Sequence, residues 1–177
     1  MTSDLKQRKY DKVFERFDAD HDGRIDQSDI TALADKWRKA LGVTTASPEG
    51  ARLAKLASDM WAGIQRHTDR DSDQAISKEE WAAAAQDPGF VDNVAVPFSL
   101  AAFDAADADS DGKITLEEMV AAQTQAGMSE SESQAVFDRL DSDHDGFVTR
   151  KEFAAATKEF YLSDDPSSVG TELAGSL

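Results

Sequence analysis

The sequence predicts an all-α protein built from four helix–loop–helix units arranged in two pairs. Three observations favour this fold class. Four acidic segments of twelve residues recur along the 177-residue chain, each with Asp at its first, third and fifth positions. Apolar residues on both sides of each segment recur at helical spacing. Ile or Val stands at the eighth position of every segment, which suits short β-bridges between paired loops.

The four segments, named loops 1 to 4, span residues 18–29, 69–80, 107–118 and 141–152. Side chains 1, 3, 5, 9 and 12 of each loop bear oxygen, and the carbonyl of residue 7 adds another. Ca²⁺ takes about 6–8 oxygen ligands, and this spacing is that of the EF-hand calcium loop. Because four separate runs keep it, the alternative of a merely solvated acidic stretch fails.

The predicted metal ligands follow from these positions. Those of loop 1 are Asp18, Asp20, Asp22, the Arg24 carbonyl, Asp26 and Asp29. Those of loop 2 are Asp69, Asp71, Asp73, the Ala75 carbonyl, Ser77 and Glu80. Those of loop 3 are Asp107, Asp109, Asp111, the Lys113 carbonyl, Thr115 and Glu118. Those of loop 4 are Asp141, Asp143, Asp145, the Phe147 carbonyl, Thr149 and Glu152.

The four loops are not expected to be equal. Loops 3 and 4 meet every requirement, including Gly at the sharp bend of position 6. Loop 1 ends in Asp29, one methylene shorter than Glu, so bidentate contact with Ca²⁺ is harder. Loop 2 has Gln74 at the bend, where a side chain at positive φ costs about 1 kcal/mol or more. The sequence predicts three to four Ca²⁺ ions, leaves loop 2 occupancy open, and predicts competition from Mg²⁺ in loops 1 and 2.

Helical periodicity defines the elements around the first two loops. The helix entering loop 1 carries Tyr10, Phe14 and Phe17. The helix leaving it, over about residues 27–41, carries Ile30, Leu33, Trp37 and Leu41. A loop over 42–48 and a long helix over about 49–67 follow, the latter with Leu53, Leu56, Met60 and Ile64. The helix leaving loop 2 carries Trp81, Ala84 and Ala85.

The second half repeats this pattern. Pro and Gly in segment 87–97 are expected to break any continuous helix there. A helix over 98–106 enters loop 3, and Ser129 with Glu132 forms a capping box for the helix that enters loop 4. Apolar positions of the later helices are Leu116, Met119, Val120, Val136, Phe137, Leu140, Phe153, Phe160 and Tyr161. The expected organisation is an N-terminal pair over 1–90, a C-terminal pair over 91–162 and a tail over 163–177.

The charge of the chain is concentrated in the loops. Seventeen of the 35 acidic residues occupy ligand positions, and the other 18 nearly balance the 19 Lys and Arg, so the net charge of −16 belongs to the metal sites. Nucleic acid and anionic membranes are therefore not expected as partners.

Other features exclude further function classes. The chain has no cysteine, which excludes disulfides, thiolate nucleophiles and zinc–thiolate sites. The amino terminus lacks an apolar targeting region and no stretch reaches about 18 apolar residues, so we expect a soluble, cytoplasmic monomer.

His21 and His144 stand at loop position 4 and His67 just before loop 2, without the convergence that zinc or catalysis requires. We therefore expect no enzyme, and interpret Trp37, Trp61 and Trp81 as core residues.

The whole chain resembles the sarcoplasmic calcium-binding proteins, and within them the calerythrin-like proteins of actinobacterial type. The resemblance rests on the long spacing between loops 1 and 2, the closing Asp29, the irregular loop 2 and the two regular C-terminal loops. The segments Phe14–Phe17 and Glu159–Ser163 fit it too. It implies two EF-hand pairs packed into one compact globule, and calcium buffering or transport. Loop 2 often loses its donors in the family, whereas here only the bend glycine is missing.

Two functions remain open at this point, an intracellular calcium buffer and a calcium sensor that acts on a partner protein. A sensor opens its helix pairs and exposes a Met-rich groove. The chain contains only Met1, Met60, Met119 and Met128. This scarcity favours the buffer, whose helix pairs barely open on binding calcium.

Overall fold

The computed structural model describes residues 3–40, 42–125 and 128–173. Its helices and strands follow the sequence pattern closely. In chain order they are α1 (Asp4–Phe17), β1 (Arg24–Ile25), α2 (Gln27–Ala40), α3 (Pro48–Thr68), β2 (Ile76–Ser77), α4 (Lys78–Ala85), α5 (Pro88–Phe90), a π-helical turn (Val91–Ala95), α6 (Val96–Ala106), β3 (Lys113–Ile114), α7 (Leu116–Gln125), α8 (Glu130–Leu140), β4 (Val148–Thr149), α9 (Arg150–Leu162) and a 3₁₀ helix (Val169–Glu172).

The all-α class and the pairing of the loops are confirmed. Strand β1 pairs antiparallel with β2, and β3 with β4. The residues at loop position 8 face each other in both ribbons, Ile25 opposite Ile76 and Ile114 opposite Val148. Each of these four side chains is at most 1% exposed. The predicted β-bridges therefore also place one apolar anchor from each loop in a core.

The described residues form two compact units, residues 10–90 and residues 91–173 together with 3–9. In the first unit the aromatic residues of α1 pack around Trp81 of α4. The Trp81 indole lies edge-on to Phe17 and to Phe90, with ring centroids 5.6 Å apart in each pair. Its Nε1 donates a hydrogen bond to the carbonyl of Tyr10 at 3.1 Å. This bond satisfies the only polar atom of a side chain that is 2% exposed.

The second unit is built around one apolar cluster, which we call the C-terminal core. It consists of Phe103, Ile114, Met119, Val136, Phe137, Leu140, Val148 and Ala156. Helices α6 to α9 all contribute to it, so the core joins the two helix pairs that flank loops 3 and 4. The Ser129 capping box predicted for α8 is present, with Glu132 N–H donating to Ser129 Oγ at 3.3 Å and Ser129 N–H to Glu132 Oε2 at 3.0 Å.

The tail packs on this second unit. Gly170 is buried, and a Cβ there would lie 2.1 Å from the carbonyl oxygen of Ala156 and 2.4 Å from the amide nitrogen of Phe160. Only glycine therefore allows the 3₁₀ helix to approach the α9 backbone this closely. Val169 and Leu173 pack against the C-terminal core. The sequence alone did not locate this segment.

A buried cation at the start of the chain was also not predicted. Lys9 is 0% exposed. Its Nζ donates to the carbonyl of Ser163, the residue that follows α9, at 3.2 Å and lies 5.7 Å from the centre of the Phe160 ring. Burial lowers the pKa of Lys9, although Asp164 opposes that shift. Ser3 and Lys6 bond to the Asp164 carboxylate, so the first residues of the chain are attached to the end of α9.

Most of the segment expected to break a continuous helix is itself helical. Helix α5, the π-helical turn and α6 follow one another without an intervening coil. Pro88 opens α5, where the missing N–H of proline has no helical acceptor to lose. Pro97 stands in the first turn of α6, directly after the π-helical turn. The helix is interrupted at Gln86 and Asp87, ahead of Pro88, so the expected break lies only at the start of the segment.

The predicted core residues of the first unit are mostly confirmed. Phe14, Ile30, Ile64, Trp61 and Trp81 are at most 7% exposed. The side chain of Trp37 and the residue Leu41 lie outside what the structure describes. Among the described residues, each helix is too short or too polar to cross a bilayer.

Candidate metal centres

The first ligand of each loop is held at the end of the entering helix. Asp18, Asp107 and Asp141 are 5%, 8% and 5% exposed, and their amides still bond to the preceding helical turn at 2.9 Å. In these three loops the carboxylate of position 1 accepts hydrogen bonds from the amides of positions 5 and 6, at 2.9–3.1 Å. The loop therefore folds around its first carboxylate.

The twelfth residue closes each loop in the same way. One oxygen of Glu118 accepts from the amide of Ala108 at 2.9 Å, and the other from the amide of Thr115 at 2.9 Å. Glu152 and Glu80 bond the corresponding amides of positions 2 and 9. The carboxylate of position 12 is thereby turned back across its loop, as a closing ligand must be.

Asp29 makes this closure in loop 1 despite its shorter side chain. Its oxygens accept from the amides of Ala19 and Asp26, both at 2.8 Å, and the residue is 4% exposed. The shorter Asp29 side chain therefore still accepts hydrogen bonds from the amides of positions 2 and 9, as the closing Glu does in the other loops.

Residues 9 and 12 also begin the exiting helices. In loops 2 and 4, Ser77 with Glu80 and Thr149 with Glu152 form capping boxes. The Thr115 hydroxyl accepts the Glu118 amide at 3.3 Å in the same manner. The capping role is indicated in the sequence by Ser or Thr followed three residues later by Glu, but the spacing of the calcium ligands by itself does not predict it.

These hydrogen bonds favour the ionised closing carboxylates. The backbone amide of Thr115, with its hydroxyl and the Ala108 amide, lowers the pKa of Glu118 against the opposing effect of burial. Burial raises the pKa of Glu152 and Glu80, but their hydrogen bonds outweigh it and the net shift is downward in both. A carboxylate with a depressed folded pKa contributes stability above its unfolded value, and that contribution is lost as the pH falls through the folded pKa. Glu80, Glu118 and Glu152 are therefore charged at neutral pH.

Carboxylate oxygens converge in every loop. In loops 1 and 2 the carboxylates of positions 1, 3 and 5 each place an oxygen within 4.8 Å of the others. In loops 3 and 4 the converging carboxylates are those of positions 1, 3 and 12. Oxygens at such separations can share one cation of the size of Ca²⁺, which binds oxygen at about 2.3–2.6 Å. The donor set is therefore that of a hard divalent cation.

Loop 2 departs from this geometry at its bend. Gln74 has φ +69°, the left-handed conformation that the sequence predicted to be strained. Asp69 is more exposed than the other first ligands, and it accepts from the amides of Ser72 at 2.7 Å and Gln74 at 3.2 Å. In the other loops the corresponding bonds come from positions 5 and 6. The loop still forms, but its first carboxylate is held differently.

Position 4 is a second left-handed site that the sequence reasoning missed. His21, Ser72, Ser110 and His144 have φ between +58° and +63°. All four side chains are exposed, which confirms that His21 and His144 are solvated. Short polar residues and His are enriched among non-glycine residues in this region, and that enrichment was the available signal.

The seventh residues of the paired loops meet different partners in the two pairs. In the C-terminal pair the Lys113 Nζ lies 4.4 Å from the centre of the Phe147 ring. In the N-terminal pair the Arg24 guanidinium donates to the Asp73 carboxylate of loop 2. A predicted ligand of loop 2 thus forms an ion pair with a residue of loop 1.

Comparisons with known proteins agree with this geometry. A family model described as an EF-hand domain pair matches residues 100–158, and one described as EF hand matches residues 10–34. No curated protein sequence gave a match. A calcium-binding protein of Streptomyces coelicolor, solved in a study of prokaryotic calcium-mediated regulation, is 32% identical, with 90% of this chain and 99% of that chain covered and a TM-score of 0.72.

Two more distant structures share the fold. A sarcoplasmic calcium-binding protein from amphioxus is 19% identical, with both chains covered completely and a TM-score of 0.76. A protein described as okadaic acid binding protein 2.1 is 16% identical, with 100% of this chain and 98% of that chain covered and a TM-score of 0.78.

Proposed function

The chain belongs to the EF-hand calcium-binding proteins and has the fold of a sarcoplasmic calcium-binding protein, and we propose that it acts as a calcium buffer. Binding of Ca²⁺ follows from the family and from the four loops. The family consists of binding proteins, which confirms the expectation that the protein is not an enzyme. The buffering role is the further step proposed here.

The observation that carries the proposal is the position of the tail. Val169 and Leu173 pack against the C-terminal core, and Gly170 touches the α9 backbone. Thr171 is 4% exposed, and its hydroxyl donates to the carbonyl of Asp165 at 3.0 Å. The chain therefore covers an apolar face of its own C-terminal pair.

A covered face favours buffering over signalling. A sensor must expose an apolar groove to its partner when calcium binds. Here that exposure would require the tail to leave α9 and the C-terminal core. Met119 belongs to the C-terminal core and Met128 packs against it. They support the same conclusion, because a binding groove of the sensor type presents its methionines to the partner.

We propose the predicted ligands of loops 1 to 4 as the calcium ligands, with unequal affinities. Loops 3 and 4 have the regular bend and the closing Glu, so they bind most tightly. Loop 1 keeps its closure through Asp29 and binds Ca²⁺ with more competition from Mg²⁺, which prefers six ligands in an octahedron. Loop 2 is the weakest site.

Two measurements test this proposal together. Isothermal titration with Ca²⁺, repeated in millimolar Mg²⁺, should resolve two tight sites that Mg²⁺ affects little and weaker sites that it competes for. Binding of an apolar fluorescent dye should change little between the calcium-loaded and the chelated protein while the fold persists. A large calcium-dependent rise in dye binding would overturn the buffer and show that the C-terminal face opens.

The second candidate, a calcium-dependent regulator, is favoured by one finding. The 32% identical protein from Streptomyces coelicolor was solved in connection with calcium-mediated regulation. In this chain such a role would need the tail to be displaced. Dye binding therefore distinguishes the two candidates directly.

A further inference from the structure

Arg24 is a residue of loop 1 whose side chain contacts loop 2. Its backbone occupies position 7 of loop 1, where the carbonyl is a predicted ligand, and it pairs with Ser77 of loop 2 across the β1–β2 ribbon. Its guanidinium crosses that ribbon and donates to Oδ2 of Asp73. The side chains of Arg24 and Asp73 are 47% and 38% exposed. The ion pair therefore lies at the rim of loop 2, within reach of solvent.

Asp73 is one of the three carboxylates that converge in loop 2. One of its oxygens lies within 4.8 Å of an oxygen of Asp69 and an oxygen of Asp71. Oδ1 of Asp73 accepts the Ala75 amide at 3.0 Å, and Oδ2 accepts the guanidinium. Both oxygens thus accept hydrogen bonds from the protein, and a cation entering the loop would meet a carboxylate whose charge the guanidinium already offsets in part.

The C-terminal pair shows why the arginine turns this way. Lys113 stands at position 7 of loop 3, as Arg24 does in loop 1, and its ammonium lies over the ring of Phe147. Phe147 is position 7 of loop 4, and the matching residue of loop 2 is Ala75, which offers no ring. A cation is attracted by an aromatic face, so Lys113 has a partner away from the carboxylates whereas Arg24 finds one among them.

We propose that Arg24 is a tethered cation that competes with Ca²⁺ for Asp73 and thereby lowers the calcium affinity of loop 2. The inference rests on the proposed binding of Ca²⁺ by loop 2. It adds a cause of weak binding that is separate from the strained bend at Gln74, because the ion pair lies between loops and the bend lies within one. It also means that calcium entry into loop 2 frees a side chain carried by loop 1.

The test is a site-resolved calcium titration of Arg24→Gln, followed by the backbone amide resonances of a ¹⁵N-labelled protein. The Gln74 amide reports on loop 2, and the amides of Gly23, Gly112 and Gly146 report on the other loops. The substitution removes the guanidinium but keeps the backbone carbonyl of position 7. Since both partners are half-exposed and screened by solvent, we expect the calcium concentration at half-saturation of loop 2 to fall about two- to fivefold.

Lys55→Gln is the matched control for net charge. Lys55 lies on α3 in the same unit and pairs with Asp59 on the helix surface, with a side chain that is 75% exposed. If both substitutions tighten loop 2 equally, the effect is general electrostatics and the proposal fails. It also fails if the Gln74 amide titrates identically in the wild type and in Arg24→Gln.

The outcomes separate this inference from the proposed function. If the three glycine amides respond to calcium and the Gln74 amide responds in neither protein, loop 2 is not a site and Arg24 is not what limits it. A Gln74 response that appears or strengthens only in Arg24→Gln supports the inference. If none of the four amides responds, the assignment of the loops as calcium sites fails as well.

Discussion

At the scale of single residues, two positions in each loop control the metal site. Position 12 supplies the carboxylate that closes the loop, and position 6 supplies the bend that allows the loop to form. Loop 1 departs from the pattern at position 12 and loop 2 at position 6, and the two departures have different structural consequences. Asp29 regains the closing hydrogen bonds at 2.8 Å, whereas Gln74 remains in a strained conformation at φ +69°. The bend is therefore the more consequential departure.

Gln74→Gly should tighten calcium binding at loop 2. Glycine adopts positive φ without steric cost, so a strain of about 1 kcal/mol is removed and the dissociation constant should fall roughly fivefold. Isothermal titration measures the change. Gln86→Gly, at an exposed position with φ −88°, is the control and should leave the titration as it was. Equal affinities of loop 2 before and after Gln74→Gly would show that the bend does not limit binding.

Glu118→Gln should weaken loop 3 strongly while the loop stays folded. The amide side chain keeps the size of the carboxylate, but it loses the charge and one of two equivalent oxygens, so we expect at least a tenfold loss of affinity at one site. Glu117→Gln removes the same charge from an exposed neighbour that is not a ligand. Calorimetry should show one weakened site in the first variant only. The loop assignment is contradicted if both variants bind alike.

At the scale of elements, the tail is the feature that distinguishes this chain from a bare pair of EF-hands. The 3₁₀ helix depends on the absence of a side chain at Gly170, since an added Cβ would collide with the carbonyl of Ala156 at 2.1 Å. The colliding atoms belong to the α9 backbone, which cannot move aside as the end of a flexible side chain could. The contact between the tail and α9 is therefore sensitive to one position.

Gly170→Val should release the tail from α9. We expect apolar dye binding to rise, and the free energy of unfolding to fall by about 1–3 kcal/mol because of overpacking and lost burial. Dye fluorescence and urea unfolding measure the two effects. Pro166→Ala changes an exposed position of the same segment and should alter neither. Unchanged dye binding in Gly170→Val would mean that the tail does not shield the C-terminal face.

At the scale of the whole molecule, the net charge of −16 lies almost entirely in the four loops. The position-1 carboxylates of loops 1, 3 and 4 are nearly buried, at 5–8% exposure. Like charges held this close oppose folding, and each bound cation offsets that repulsion. Calcium binding and stability are therefore coupled through the same side chains.

Removal of calcium should lower the melting temperature substantially. A site at one hundred times its dissociation constant contributes about 2.7 kcal/mol, and about 1 kcal/mol shifts the melting temperature of a chain of this size by roughly 2–4 °C. With three or four sites we expect a fall of more than about 10 °C on chelation, measured by differential scanning calorimetry. Addition of KCl to the chelated protein should restore part of the lost melting temperature, because salt screens the repulsion between the loop carboxylates. A melting temperature unaffected by chelation would contradict the coupling.

The sequence by itself determined the features that depend on residues close together in the chain. Ligand spacing, helix bounds and the Ser129 capping box all involve residues within a dozen positions of one another, and the apolar residue at position 8 recurs in every loop, so their pattern is readable. Only the tertiary structure decided that Arg24 reaches Asp73, that Lys113 lies over Phe147, and that Lys9 and Gly170 are buried at α9. The contacts of Arg24, Lys113 and Lys9 join residues that are far apart in the chain, and that of Gly170 depends on the tail folding back onto α9. Local spacing predicts the calcium loops and the strained bend of loop 2, whereas the contacts of Arg24, Lys113, Lys9 and Gly170 follow from the packing of helices and loops.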